Sequence, residues 1–355
     1  MNKKVLVAMS GGVDSSVAAK LLVDAGYECI GCTMRLYDNA DAGLPSEHTC
    51  CSLDDVTDAR TVAYSLGMSY YVFNFTDAFR EKIIHKFVRS YENGLTPNPC
   101  IDCNRYMKFG KLFDRAEVLG CDYVATGHYA RIEEKNGRFL LKKAADETKD
   151  QSYVLYSMTQ QQLSRTLFPL GNLRKTQARE FARASGLSTA EKPDSQDICF
   201  VPNGDYAGAI ERHTGKAAQP GDFLDKDGKC LGRHKGIIHY TIGQHRGLGL
   251  SLPTPHYVLK IDPERNTVIL GDESSLFQTE ASAGDFNWIC GEAPGERFRC
   301  KAKIRYRQPE QWASVYPLEN GEVRIVFDEA QRAVTPGQAV VLYDGDTVLG
   351  GGVIQ

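Results

Sequence analysis

Over roughly the first two hundred residues, short apolar runs alternate with longer stretches whose apolar positions recur at helical spacing. The runs are KVLVAM (4–9), ECIGCTMRL (28–36), YYVFNF (70–75) and DYVATGHY (122–129). Between them lie DSSVAAKLLVDAG, DDVTDARTVAYSLG and FGKLFDRAEVLG, each closing on a glycine in the C-cap region: Gly26, Gly67 and Gly120. Continuously apolar strands joined by helices indicate a parallel sheet covered on both faces, which binds ligands at the carboxyl ends of its strands. The pattern predicts a doubly wound, Rossmann-like α/β domain over residues 1–205.

After about residue 205 glycine, proline and short alternating runs dominate: HYVLKID, NTVILGD, KAKIRYRQ, VRIVFD, AVVLYD and TVLGGGVI. Short strands with frequent turn signals indicate β-rich modules. A division near 280 gives a small β-rich central domain at 206–280 and a C-terminal β-barrel, or a sandwich, at 281–355.

The chain of 355 residues is too long for one ordinary core, which agrees with several domains. A hydrophobic fraction of 42% and a charged fraction of 25% are those of a soluble globular protein. No apolar run reaches membrane-spanning length, and MNKKVLVAMSGG leads straight into a strand without a signal-peptide core. The expectation is a cytoplasmic protein, by default a monomer, whose eleven cysteines are mostly thiols. A net charge of −3 argues against a generally basic nucleic-acid binder, so any RNA contact has to come from local patches.

The stretch VLVAMSGGVDSSVAAKLL reads as strand, glycine turn and helix. Gly11 and Gly12 let the backbone approach a ligand, while Ser10, Asp14, Ser15 and Ser16 are placed to cap the helix. A helix start offers N–H groups and a positive dipole end to a phosphate. The loop is neither a Walker A sequence, since the G-K-[ST] lysine is missing, nor a G-x-G-x-x-G fingerprint. It resembles the SGGxDS loop of the ATP pyrophosphatases, which hold the pyrophosphate end of ATP and pass AMP to a substrate oxygen.

Five further motifs follow in order: TPNPCIDCN (96–104), whose two prolines are expected to keep it extended and exposed, TGHYAR (126–131), KDQSYVLY (149–156), PDSQDICF (193–200) and HYTIGQHRGLG (239–249). Together they resemble the bacterial tRNA-specific 2-thiouridylases over nearly the whole chain. That resemblance implies ATP binding by Ala8, Met9, Ser10, Gly11, Gly12, Val13, Asp14 and Ser15, with Met34 near the adenine and Gly127 lining the same pocket. It implies Cys103 as nucleophile, Cys199 as carrier of persulfide sulfur, and Asn98, Pro99 and Cys100 beside the target base. His128, Lys149, Asp150, Gln151, Arg305, Tyr306 and Gln338 fall where the family touches tRNA. The implied substrate is the wobble uridine of Lys, Glu and Gln tRNAs, with Mg²⁺ on the ATP phosphates. The sulfur donor would be a cysteine desulfurase or a relay protein. Chemically, adenylating the uracil C2 oxygen creates a leaving group that a thiolate or persulfide can displace.

The cysteines leave alternatives open. Many family members carry aspartate where this chain has Cys100. Three thiols, Cys100, Cys103 and Cys199, could instead hold a [4Fe–4S] cluster with one open iron, and a zinc site would need Cys50 or Cys51 as a fourth ligand. Whether Cys103 and Cys199 approach closely enough for a disulfide is not set by their spacing. Cys29 and Cys32 face opposite ways on a strand and read as buried. Cys121, Cys230, Cys290 and Cys300 read as packing.

RFRCKAKIRYR places Arg297, Arg299, Lys301, Lys303, Arg305 and Arg307 at alternate positions, so a single strand would show six cations on one face. With no acid among them, the expectation is a face that follows RNA phosphates. KCLGRHKGIIHYTIGQHR (229–246) adds Lys229, Arg233, Lys235 and Arg246. Its three histidines read as surface residues near RNA rather than metal ligands.

Overall fold

The computed structural model describes residues 2–38, 53–193, 198–201 and 204–355. In chain order the first part contains β1 (Lys4–Ala8), α1 (Val13–Asp24), β2 (Glu28–Arg35), α2 (Leu53–Ser65) and β3 (Ser69–Asn74). An unbroken helical run α3 follows (Thr76–Phe79, Arg80–Ile84, His85–Glu92), then a second, α4 (Pro99–Asp102, Cys103–Lys111, Leu112–Val118). The middle stretches of both runs are π-helical. Next come β4 (Tyr123–Ala125), the hairpin β5 (Ala130–Lys135) and β6 (Arg138–Lys143), β7 (Thr166–Leu167) and α5 (Lys175–Ala184).

The first sheet runs β3-β2-β1-β4-β7 with every neighbour parallel, as the apolar strands predict. Alternation on β1 shows why those strands are apolar throughout. Val5 and Val7 enter a cluster with Val17 and Ala18 of α1 and Val62 of α2, while Leu6 enters another with Leu112 and Ala116 of α4. Both faces are buried, so neither has positions to give to polar residues. Gly26, Gly67 and Gly120 end their helices at positive φ.

Two local expectations change. The prolines of TPNPCIDCN do not keep the segment extended, because Pro99 is the first residue of α4, where a fixed φ and a missing N–H cost nothing. Asn98 caps that helix, its side-chain oxygen accepting from Cys100 N at 3.2 Å, so Cys100 and Cys103 are helical. Strand β4 stops at Ala125 instead of 129, and the β5–β6 hairpin beyond it was not anticipated. Its turn is Asn136-Gly137, both at positive φ, the local signal that marks a tight hairpin.

The second part holds α6 (Tyr206–Thr214), β8 (Gly221–Leu224), β9 (Cys230–His234), β10 (Tyr257–Asp262) and β11 (Thr267–Gly271), in a sheet of order β10-β11-β8-β9. The third consists of β12 (Phe277–Trp288), β13 (Phe298–Lys303), β14 (Gln311–Pro317), β15 (Val323–Arg332), β16 (Ala339–Asp344) and β17 (Thr347–Ile354). The order β12-β15-β14-β13-β16-β17 closes through β17–β12 pairing into a barrel filled by Ala283, Cys300, Ala302, Val315, Ile325 and Leu342. β12 starts at Phe277, ahead of the expected boundary at 281.

First domain and barrel share a core. Ile101 and Phe109 of α4, with Tyr153 and Tyr156, pack against Ala339, Val341 and Tyr343 of β16. Thr347 of β17 pairs with Lys142 of β6, so the hairpin extends the barrel's sheet. The helix that carries Cys100 and Cys103 is therefore seated between the parallel sheet and the barrel.

Candidate active site

The loop after β1 is shaped by close approach. Gly11 has φ +74°, and a Cβ there would lie 2.4 Å from the backbone oxygen of Asp55. The serines do not cap α1 as expected: Gly12 is the N-cap and no side chain caps it. Instead the Ser15 and Ser16 hydroxyls donate to Gly12 O at 3.0 and 2.9 Å, and Ser15 Oγ accepts from Ser10 N at 3.2 Å. The first-turn N–H groups of α1 are thus left for a ligand at the carboxyl end of β1. Thr33 Oγ1 donates to Met9 O at 2.6 Å, tying β2 to the loop, and Met34 follows it, half-buried.

Asp14 is the loop's acid. Lys175 Nζ, from the first residue of α5, donates to both carboxylate oxygens at 2.7 Å, and Tyr129 OH donates to Oδ1 at 2.8 Å. Lys175 is only 8% exposed. A Cβ on Gly127 would lie 2.9 Å from Asp14 C and from Ser15 N, so the 126–129 turn presses directly on the loop. Gln151 fixes that turn by accepting from Tyr129 N at 2.9 Å. Lys175 was not anticipated, since nothing in RKTQAR marks it. Tyr129 sits within TGHYAR, one residue beyond the position singled out.

His128 is 7% exposed, its ring tilted against Phe109 and edge-on to Phe168. Burial, helped by the nearby Lys108 ammonium, pushes its pKa well below the ordinary value. A neutral ring accepts from Lys108 at Nε2 (3.3 Å) and donates from Nδ1 to Thr126 Oγ1 (2.6 Å). Its ring therefore joins α4 to the loop turn instead of facing solvent. Asp150 accepts from Ala144 N, Ser152 N and Ser152 Oγ, and Lys149 N donates to Asp146 O.

The other residues expected at RNA also brace the domains. Tyr306 OH donates to Asp150 O at 3.1 Å, and Arg305 donates to Ala333 O and Thr335 Oγ1 at 3.0 Å. Gln338 Nε2 donates to Thr96 O at 2.8 Å and Pro97 O at 3.4 Å, immediately before Asn98. Burial raises the Tyr306 pKa, and the charge of Asp150 adds to it.

Cys100 and Cys199 are exposed and Cys103 is half-buried. One apolar cluster seats the two reactive candidates. Phe79, Phe87, Met107, Phe200 and Val201 form it, and Cys103, Met34 and Ile198 pack against it. Phe200 is wedged edge-on between Phe79 and Phe87, with ring centroids 5.6 and 5.2 Å away, and Tyr37 OH donates to Cys199 O at 2.6 Å. The segment around Cys199 is thereby anchored on the helix face that bears Cys103. Neither is in a disulfide. Beside Cys103, the Asp102 carboxyl is buried with Lys86 Nζ at 2.7 Å, and burial raises its pKa against the pull of that ammonium.

Among the described residues no group of three or more His, Cys, Asp or Glu is arranged to hold a metal ion. The arrangement of Cys100, Cys103 and Cys199 therefore lends the [4Fe–4S] alternative no support; Cys50 and Cys51 lie outside the described residues. Cys29 and Cys32 are buried in clusters on opposite sheet faces, as expected. Burial pushes the Cys29 thiol up to about 11 and Cys32 higher still. Cys230 is exposed, not packed.

The six-cation face is smaller than its sequence pattern. β13 ends at Lys303, and the chain turns at Ile304–Gln308, taking Arg305 and Arg307 off the strand. An acid does serve this face: Arg299 pairs with Asp328 of β15 at 2.6 Å. What remains is a mixed surface. Arg299 and Lys301 lie over the ring of Trp312, which is 51% exposed, and Arg297 and Arg324 lie over Tyr316. In the central domain His234 is buried, its Nδ1 accepting from Gly236 N at 3.0 Å, so it is structural and not a surface histidine. Arg233 pairs with Asp222 at 3.0 Å.

Comparison with known proteins agrees with this three-part plan. Residues 3–203 match a family model described as the tRNA methyl transferase HUP domain. Residues 208–272 match the tRNA methyl transferase PRC-barrel domain, and 278–354 the aminomethyltransferase beta-barrel domain. The tRNA-specific 2-thiouridylase MnmA of Acetivibrio thermocellus is 53% identical over 356 residues, covering 99% of each chain. The proteins of the same name from Clostridium acetobutylicum and Clostridioides difficile are each 50% identical, covering all of this chain and 100% and 99% of theirs. On this end-to-end match the chain belongs to the tRNA-specific 2-thiouridylase family.

Proposed function

We propose that the protein uses ATP to convert the wobble uridine of Lys, Glu and Gln tRNAs to 2-thiouridine. The backbone of Ala8–Ser15 receives the pyrophosphate end of ATP, with Met34 and Gly127 bordering the adenosine. Uracil O2 attacks the α-phosphorus, the α–β bond breaks and pyrophosphate leaves. A divalent cation such as Mg²⁺ would find an oxygen donor in Asp14 and would neutralise the triphosphate. The terminal sulfur of a persulfide on Cys199 then attacks C2, and AMP departs with the former C2 oxygen. The Cys103 thiolate attacks the Cys199 sulfur, breaks the S–S bond and leaves the transferred sulfur on the base. The two cysteines end as a disulfide, which a thiol reductant reopens before a desulfurase or relay protein reloads Cys199.

The observation that carries this reading is the shared apolar cluster, which supports Cys103, Met34 and both neighbours of Cys199 at the open end of the sheet. Asn98, Pro99 and Cys100 at the start of α4 border the target base. His128, Lys149–Gln151, Arg305, Tyr306 and Gln338 act at the RNA side by holding the surrounding segments in place. The protein works as a cytoplasmic monomer.

Separating the two half-reactions tests the assignment. Cys199→Ser should abolish 2-thiouridine formation while tRNA-dependent ATP–pyrophosphate exchange continues near the wild-type rate. Loss of both steps together would make Cys199 structural and remove it from the reaction.

A further inference from the structure

The phosphate loop lacks the lysine that many phosphate loops carry within their own motif, yet a buried lysine reaches it from elsewhere in the chain. Lys175 Nζ donates to both carboxylate oxygens of Asp14 at 2.7 Å, in the first turn of α1 where phosphate would dock. Its backbone is fixed at the head of α5 by Lys175 N donating to Asp146 Oδ2 at 2.9 Å. From that anchor a lysine has a four-carbon stem and a compact ammonium that can change acceptors without moving the helix. Tyr129 OH also donates to Asp14, so the carboxylate keeps a partner when the ammonium leaves. The Tyr129 ring lies 5.8 Å from the same ammonium and walls its path.

We propose that Lys175 is the phosphate-facing cation of the nucleotide site, held on Asp14 in the empty protein and turned to the pyrophosphate end of ATP when nucleotide binds. The inference rests on the ATP reading above and adds to it a residue that contacts substrate. Asp14, relieved of its lysine, is then available to a metal ion on the same phosphates.

The test compares ATP with AMP, which lacks the pyrophosphate end. Dissociation constants are measured calorimetrically without divalent metal, so that Asp14 cannot act through an ion. Lys175→Met should weaken ATP by about tenfold to a hundredfold, the range of a lost charge-assisted contact, and leave AMP within about twofold. Lys175→Arg should keep most of the ATP affinity. The double variant Asp14→Asn/Lys175→Met removes the Asp14 charge together with that of the lysine and should show the same selective loss. Equal losses for ATP and AMP, or a double variant that regains preference for ATP, would make Lys175 a structural counter-ion and overturn the proposal. Wild-type protein that binds neither nucleotide would defeat the ATP reading, and this inference with it.

Discussion

Gly127 shows how a single residue sets the site. With 2.9 Å between a hypothetical Cβ and two backbone atoms of the loop, Gly127→Ala has to displace main chain rather than a flexible side chain. Overpacking of this kind costs ~1–3 kcal/mol. The variant should melt at lower temperature and bind ATP at least about tenfold more weakly, since the displaced atoms belong to Asp14 and Ser15, the proposed phosphate cradle. Calorimetric titration beside a thermal melt checks both, and unchanged ATP affinity would contradict the packing argument. At this scale the sequence is uneven. SGGVDS is legible because its chemistry is local: glycines and a helix start within six residues. Lys175 and Tyr129 are not, because their meaning comes from meeting Asp14 across 161 and 115 residues. His128 was legible as a notable position but not as a buried one.

The element that matters most is α4, for its first turns carry Cys100 and Cys103. Three independent features fix its start: the Asn98 cap, Pro99 as its first residue, and the barrel's hold on the preceding segment through Gln338 and through Thr96 N donating to Pro336 O at 2.9 Å. Gln338→Ala removes the side-chain part of that hold, worth ~0.5–1.5 kcal/mol per hydrogen bond. Amide exchange around Thr96–Cys103 should then rise about threefold to tenfold in the absence of any RNA. If exchange changes only in the presence of tRNA, Gln338 is a contact to the nucleic acid and not a brace. Sequence reading misjudged this element by treating its two prolines alike: Pro97 precedes the helix and Pro99 begins it. The cationic strand was misread for a related reason. Alternation continues through Arg305 and Arg307, but the strand does not, and Asp328, its acid, lies on a different strand.

Seen whole, the molecule uses the barrel as a support. The shared core of Ile101, Phe109, Tyr153 and Tyr343 joins barrel and α4, while Phe79, Phe87 and Phe200 bring the distant Cys199 segment to the helix that holds Cys103. The parallel sheet and the β-rich remainder were legible from periodicity alone. The hairpin that extends the barrel's sheet, and the core between the two domains, were not, because each half looks like an ordinary surface element until the other is present. The central claim is that this arrangement delivers sulfur to an adenylated uracil. Its most direct test is mass spectrometry of nucleosides from unmodified Lys, Glu or Gln tRNA incubated with the protein, ATP and a persulfide donor. The account predicts 2-thiouridine at the wobble position, dependent on ATP and accompanied by AMP; ATP cleaved to AMP with the uridine unchanged, or a methylated uridine in its place, would contradict it.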